Sequence, residues 1–328
     1  MDDVAVAAGV SRALVSLVMR DSSRVSATSR AAVLDAATRL GYRPNLMARN
    51  LAARSTNTIG LLLNDLHNPW YADIADGIHA AADASGYQVI LASGRRSATI
   101  ESRAIDTFLA SRVDGIIVTG CRLPMARLTA VAAEVPLVSV GRTMRAAMVG
   151  TVCTDDAVGA RLAVRHLYSL GHRRIAHIDG GVGAGSAPRR AGYLAAMREL
   201  GLAESTKVLA GDFTELAGAA AVAHMLRGGE APTAIFAAND LSAIGAIDEL
   251  ERRGFDVPGR VSVIGYDNTA LAALNHIGLS TIDQPRLTMG TAAAAMLFAA
   301  LTEQLRLHNV SMAPHLVVRA TTSSVGAP

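Results

Sequence analysis

Apolar positions change their period near residue 58, from helical spacing before it to strand and helix in alternation after it. In Gly9-Val10-Ser11-Arg12-Ala13-Leu14-Val15-Ser16-Leu17-Val18-Met19-Arg20, Gly9 can close one helix in a left-handed conformation and Ser11 can cap the next. Advancing about 100° per residue puts Leu14, Val15, Val18 and Met19 on one side and Arg12, Ser16 and Arg20 on the other, with Ala13 and Leu17 at the margin. One face packs, and a face of small and basic side chains is left to touch something. Asp2–Ala8 makes a short first helix whose opening aspartates suit the positive end of the helix dipole. A third helix runs from a Ser26 cap through Val33, Leu34 and Leu40 to Gly41, with Pro44 just beyond. Helix, glycine turn, helix is the order of a helix-turn-helix, and residues 1–44 read as one three-helix head.

Beyond Thr58 the pattern predicts a strand at Ile59–Asp65, a helix from about Tyr71 to Gly86, and strands at Tyr87–Ser93, Gly115–Thr119, Leu137–Val140 and Thr151–Thr154, with amphipathic helices at about 100–111 and 123–134. A second series follows at Arg174–Asp179, Lys207–Ala210, Ala234–Ala237 and Val261–Gly265. Continuously apolar strands bounded by turns imply parallel sheets buried on both faces. The fold class expected is α plus α/β: a helix-turn-helix head followed by two doubly wound lobes, with ligand at the carboxyl ends of the strands.

Asp3-Val4-Ala5, Ala8-Gly9-Val10-Ser11, Val15-Ser16, Val25-Ser26, Thr28-Ser29-Arg30, Leu40-Gly41-Tyr42-Arg43-Pro44-Asn45 and Ile59-Gly60-Leu61 together resemble the successive signatures of the lactose-repressor (LacI/GalR) family of bacterial transcription regulators. The similarity continues to the last strand. It implies two lobes like those of periplasmic sugar-binding proteins, joined by three crossovers: lobe 1 about 58–155 and 283–315, lobe 2 about 156–282 and 316–328. Between head and body, the alanine- and leucine-rich segment from Asn45 to Arg54, in a 45–57 linker, is too short to be a stable helix alone. It resembles the family's hinge helix, with Leu51 at the position that wedges into the minor groove. Leu14 and Leu17 stand where many members have threonine and arginine, and Arg20 where asparagine is usual, so no known operator transfers to this chain.

Charge sharpens the picture. The net charge of +3 hides an uneven split: residues 1–57 hold eight arginines against four aspartates, giving +4 and leaving −1 for the rest. Arg20, Arg24, Arg43, Arg49 and Arg54 are candidate phosphate partners, and Ser11, Arg12, Ala13, Ser16, Leu17, Asn45 and Leu51 complete the expected DNA face. No apolar run approaches the roughly eighteen residues of a membrane span, and no secretory signal pattern precedes the first helix, so a cytoplasmic, nucleoid-associated protein is expected. Cys121 and Cys153 read as isolated structural thiols in a reducing compartment.

At the carboxyl ends of the body strands stand Asp65, Asn68, Trp70, Tyr71, Arg142, Asp155, Arg189, Phe213, Asn239, Asp267 and Gln284. Aromatic platforms with fixed carboxylates, amides and arginines suit a hydroxyl-bearing ligand. Arg189, three before Gly192-Tyr193, Asn239 in Ala-Ala-Asn-Asp and Asp267 in Gly-Tyr-Asp-Asn match effector contacts of the family. Asn239 and Asp240 could instead simply cap a helix, whereas Arg189 has no comparable local duty in the sequence. A doubly charged phosphate would want more cation than Arg142 and Arg189 offer, so a neutral sugar or polyol is expected.

Gly180-Gly181-Val182-Gly183-Ala184-Gly185 follows a strand but admits no G-x-G-x-x-G, and reads as an effector-side loop rather than a dinucleotide site. There is no P-loop, nucleophile elbow or zinc spacing, and His166, His172 and His177 read as surface or packing residues. No cofactor or metal is expected, nor an enzyme, which would need a matched nucleophile and base. A transport-type sugar-binding protein would need the same lobes but a signal peptide and no head; residues 1–55 weigh against it. The partners expected are double-stranded DNA with a pseudopalindromic operator, a small-molecule effector and a second copy of the chain, without a membrane.

Overall fold

The computed structural model describes residues 1–19, 22–42, 55–144, 146, 148–228, 231–303 and 305–326. The chain divides at Thr56 into a small unit, Met1–Thr56, and a large one, Asn57–Pro328.

The small unit holds α1 (Asp2–Ala8), α2 (Arg12–Met19) and α3 (Ala27–Arg39). Gly9 ends α1 in the left-handed conformation with φ 65°. Ser11 Oγ accepts from the Leu14 amide at 3.2 Å and starts α2. Ser26 caps α3 by accepting from Ser29 N at 3.2 Å. Val4, Ala5, Val15, Val18, Val33, Ala36 and Ala37 form the core, with Met19 packed against it. Leu14, expected on the packed face, is only half-buried and lies outside that cluster. Leu34 and Leu40 are about half exposed, because the small core closes on Val33 and the alanines.

The large unit alternates strand and helix except where β4 runs on to β5, β9 to β10 and β11 to β12: β1 (Thr58–Leu63), α4 (Pro69–Ala84), β2 (Gln88–Ser93), α5 (Ala98–Ala110), β3 (Gly115–Thr119), α6 (Met125–Ala132), β4 (Leu137–Val140), β5 (Val149–Thr154), α7 (Asp156–Ser169), β6 (Ile175–Ile178), α8 (Ser186–Glu199), β7 (Lys207–Leu209), α9 (Glu215–Arg227), β8 (Ala234–Ala237), α10 (Asp240–Arg252), β9 (Ser262–Asp267), β10 (Ser280–Asp283), α11 (Arg286–Thr302), β11 (Asn309–Met312) and β12 (His315–Val317). The first sheet runs β11-β5-β4-β3-β1-β2, every pair parallel; the second runs β12-β10-β9-β8-β6-β7, parallel except for β10 with β12. Both contain the strand order 2-1-3-4-5 of a doubly wound sheet, whose crevice opens at the carboxyl ends beside the first strand. β3, β4 and β5 are buried along their whole length, which is why they carry no polar alternation.

Three passages link the sheets: β5 in the first leads into α7 against the second, β10 in the second leads into α11 against the first, and β11 in the first is followed by β12 in the second. The carboxyl ends of both sheets thereby face one cleft. Among the described residues no helix is long and apolar enough to cross a membrane.

Candidate functional site

In the small unit, Ser11, Arg12 and Ala13 are exposed, and Ser16 and Leu17 are half-buried on the other side of α2 from Val15 and Val18. Arg12 is paired loosely with Asp2, 3.6 Å away with both side chains largely exposed, an arrangement that leaves the guanidinium available to another anion. Arg24 is also exposed, beside α3. Arg20, Asn45, Arg49, Leu51 and Arg54 lie outside the described residues.

The cleft of the large unit is built from strand ends. Asn68, just beyond β1, caps α4 by accepting from the Trp70 amide at 2.9 Å, and Pro69 occupies the first helical position. Trp70 and Tyr71 are thereby delivered in the first turn, edge to face, with ring centroids 4.9 Å apart. Their room comes from Gly120 and Gly141 at the ends of β3 and β4. Both have positive φ, and a methyl at Gly141 would stand 2.7 Å from the Trp70 ring, while one at Gly120 would run into the Tyr71 hydroxyl. Facing them are Arg189 in the first turn of α8, Phe213 after β7, Asp267 at the end of β9 and Gln284 after β10.

Seven of the eleven expected residues thus meet around one gap: Asn68, Trp70, Tyr71, Arg189, Phe213, Asp267 and Gln284. The free space there is about 30 Å³, room for a water or two with the walls as they stand.

Arg189 is 5% exposed and held from every side. Its Nε donates to Asp156 Oδ1 at 2.9 Å and its Nη1 to the Ala238 carbonyl at 2.6 Å; Nη1 stands 3.7 Å from Asp267 Oδ1, and the guanidinium lies 3.8 Å over the Tyr266 ring. The expectation that this arginine lacks a local structural duty is therefore corrected, because it neutralises two buried carboxylates. One cation shared by two acids leaves both short of compensation. Burial raises the pKa of Asp156 despite Arg189, and burial, opposed by Arg189 and reinforced by Asp240, raises that of Asp267. Asp267 is the more weakly paired of the two and keeps one donor besides, Gln284 Nε2 at 2.6 Å, while Gln284 Oε1 accepts from Thr154 at 2.9 Å. It also holds a φ of 121°, strained for a residue with a side chain. Trp70 keeps its indole Nε1–H buried and without a partner. A hydroxyl-bearing ligand would find a donor in that indole and an acceptor in Asp267.

The remaining expected residues lie elsewhere. Asp65 accepts from the His67 amide at 3.0 Å in the β1 loop. Asn239 caps α10 through the Ser242 amide at 3.0 Å and donates to the Phe213 carbonyl, which puts it behind the cleft wall. Asp155 is exposed and caps α7 through the Val158 amide, and it is its neighbour Asp156 that turns inward; the cap geometry fixes which of the two points where. Arg142 borders an adjoining cavity, its Nη1 donating to the carbonyls of Cys121 and Leu123. Asp156 and Tyr266 were missed by the sequence reading. The aspartate pair opening α7 and the Tyr of Gly-Tyr-Asp-Asn were the available signals.

Comparison with known proteins accords with this geometry. Residues 1–45 match the family model of bacterial regulatory proteins, lacI family, and residues 56–318 that of the periplasmic binding proteins and sugar binding domain of LacI family. The catabolite control protein A of Priestia megaterium is 32% identical over 319 residues, 96% of each chain. A lac repressor dimer bound to operator and the anti-inducer ONPF superposes with a TM-score of 0.85 at 30% identity, covering 98% of both chains. A complex of the transcriptional regulator CelR with cellobiose gives 0.74 at 31%, again over 98% of both. With both halves matched and the relatives spanned from end to end, this chain belongs to the LacI family of bacterial regulatory proteins.

Proposed function

We propose that the chain is a transcriptional repressor of carbohydrate genes, acting in the cytoplasm as a two-fold dimer on a pseudopalindromic operator, and that a sugar or polyol held between the lobes changes its operator affinity. The carrying observation is that one chain joins a helix-turn-helix head to a body whose strand ends converge on Trp70, Tyr71, Arg189 and Asp267. In this reading the ends of α2 and its outer face read the major groove, with Arg20 and Arg24 on phosphates; Asn45, Arg49, Leu51 and Arg54 belong to a hinge that enters the minor groove, Leu51 as the wedge. Edge strands β2 and β7 leave Ile90, Leu91 and Val208 about 40% exposed, apolar area that suits a face shared with a second copy. The cleft binds a ligand without transforming it, since its carboxylates are tied to Arg189 and Gln284 rather than poised on a nucleophile.

Selection of binding sites from random duplexes tests the DNA half, with inverted repeats as the expected result. Direct repeats, or single half-sites bound by monomer, would overturn it. Leu51→Ala should weaken that operator by a few kcal/mol or less, because the wedge's contacts offset the cost of unstacking one step.

A further inference from the structure

Beside the aromatic cleft, sharing Gly141 and Ala184 with it, lies a roomier cavity of about 310 Å³. One wall carries Arg122 and Arg142; the other is the end of the glycine loop, residues 182–185, and the first turn of α8. Arg142 directs only Nη1 to protein carbonyls, so most of its fork remains available. Arg122 is half-buried and lines the cavity, and its side chain forms no hydrogen bond or ion pair among the described residues. Two guanidinium groups lining one cavity with no ion-pair partner among the described residues suit an oxyanion, which their planar forks bind by charge-assisted hydrogen bonds.

The acids nearby do not supply that partner. Glu101 lies behind the loop with its Oε2 accepting from the Arg122 amide at 2.8 Å and the Cys121 thiol at 3.3 Å, and burial raises its pKa, which favours the neutral form. Asp156 lines the cavity but is tied to Arg189 Nε at 2.9 Å. The start of α8 adds to the positive side: its N-cap is Gly185, no side chain caps it, and the Ser186 hydroxyl is turned away onto Asp179 at 2.5 Å.

We infer that this cavity is the oxyanion subsite of the effector site, and that the effector is a sugar or polyol carrying a phosphate ester or carboxylate. Its hydroxylated part meets Trp70 and Asp267, and its anion sits between Arg122, Arg142 and the first turn of α8. The inference rests on the cleft reading above and replaces its neutral ligand with a charged one. The sequence count of available cation took in Arg142 and Arg189; the structure withdraws Arg189, which is neutralised by its own acids, and supplies Arg122 and the helix start instead.

The full chain is titrated with matched sets (glucose, galactose, mannose and ribose, each beside its terminal phosphate and its aldonate) and with inorganic phosphate alone. Binding is followed by the fluorescence of Trp70, the single tryptophan. In at least one set a charged member binds about tenfold or more tighter than the neutral sugar, the scale of one added charge-assisted hydrogen bond. That ratio collapses towards one in Arg122→Gln and in Arg142→Gln, each read singly as well as together so that a poorly folding double variant does not remove the comparison. Arg122→Lys restores part of it. Inorganic phosphate competes with the charged member and not with the neutral one, and whether ester or aldonate leads identifies the oxyanion. Neutral members binding as tightly as charged ones, or a charge preference that survives both arginine substitutions, overturns the subsite. If Asp267→Ala abolishes neutral binding in that case, the cleft reading stands alone; a panel in which nothing binds overturns both.

Discussion

His177 stands in the middle of the second sheet with no exposure at all, stacked between Phe236 and Tyr193 with ring centroids 4.7 and 5.2 Å away. Its Nδ1 bonds the Phe236 carbonyl at 2.9 Å, and burial lowers its pKa to about 4. The folded state therefore refuses a proton that the unfolded chain accepts below its ordinary value near 6.5. The stability this contributes is complete above that value and declines as pH falls towards 4, by about 3 kcal/mol at the lower end. His177→Phe should cost about 1 kcal/mol at pH 7.5 through the lost hydrogen bond, and its urea midpoint should fall less steeply than wild type between pH 6.5 and 4.5; parallel curves would rule the histidine out. The sequence read this residue as one of surface or packing and could not choose between them, since its stacking partners from β8 and α8 lie far along the chain. The same limit explains Arg189. Its type and motif were legible, but the two buried acids that occupy it come from separate elements, one of them the neighbour of the aspartate that the sequence brought forward.

Helices pack in this molecule through glycines at points where two backbones touch. On α10 a methyl at Gly245 would run into the Glu215 carbonyl, and on α9 a methyl at Gly218 into that of Ser242; α4 and α11 meet in the same way at Gly77 and Gly290. In an isolated helix Gly245→Ala would stabilise by about 1 kcal/mol, whereas here it forces α9 and α10 apart. Overpacking of that kind costs about 1–3 kcal/mol, so the expected outcome is a lower melting temperature, with the paired Gly218→Ala variant falling again. A rise in either would mean that the helices are less closely joined than they stand here. Strand and helix alternation was legible because fully buried parallel strands are mostly apolar and carry no charge, as in β3 to β5, where the only polar side chains are small hydroxyls and a thiol. The glycine contacts were not, since spacing along one helix does not reveal which helix faces it. Nor did periodicity alone give the return of β11 to the first sheet; that came from the family resemblance.

Across the whole body, an ion pair and an arginine–carbonyl hydrogen bond bridge the lobes beside the cleft. Arg96, between β2 and α5, reaches the Asp212 carbonyl and carboxylate after β7, both at 2.8 Å. Arg286, at the start of α11, joins Asp73 of α4 at 2.7 Å to the Asn268 carbonyl after β9. These contacts form with the lobes together, so they add to the closed population. Because apparent affinity falls with the fraction of competent protein, Asp212→Asn should weaken effector binding about two- to fivefold, the scale of one partly exposed ion pair. The deficit should shrink as salt rises. Equal affinity of variant and wild type at low salt would show that the pair does not govern closure. The same variant tests the coupling to DNA. The factor by which effector changes operator affinity must equal the factor by which operator changes effector affinity, so the Trp70 titration repeated with and without a saturating operator duplex yields the coupling independently of any DNA-binding assay. In wild type the two factors should agree. In Asp212→Asn, if closure carries the signal, operator affinity without ligand should move towards its open-lobe value while the loss in effector affinity persists. A change in effector affinity with operator binding identical in every liganded state would place the switch outside lobe closure.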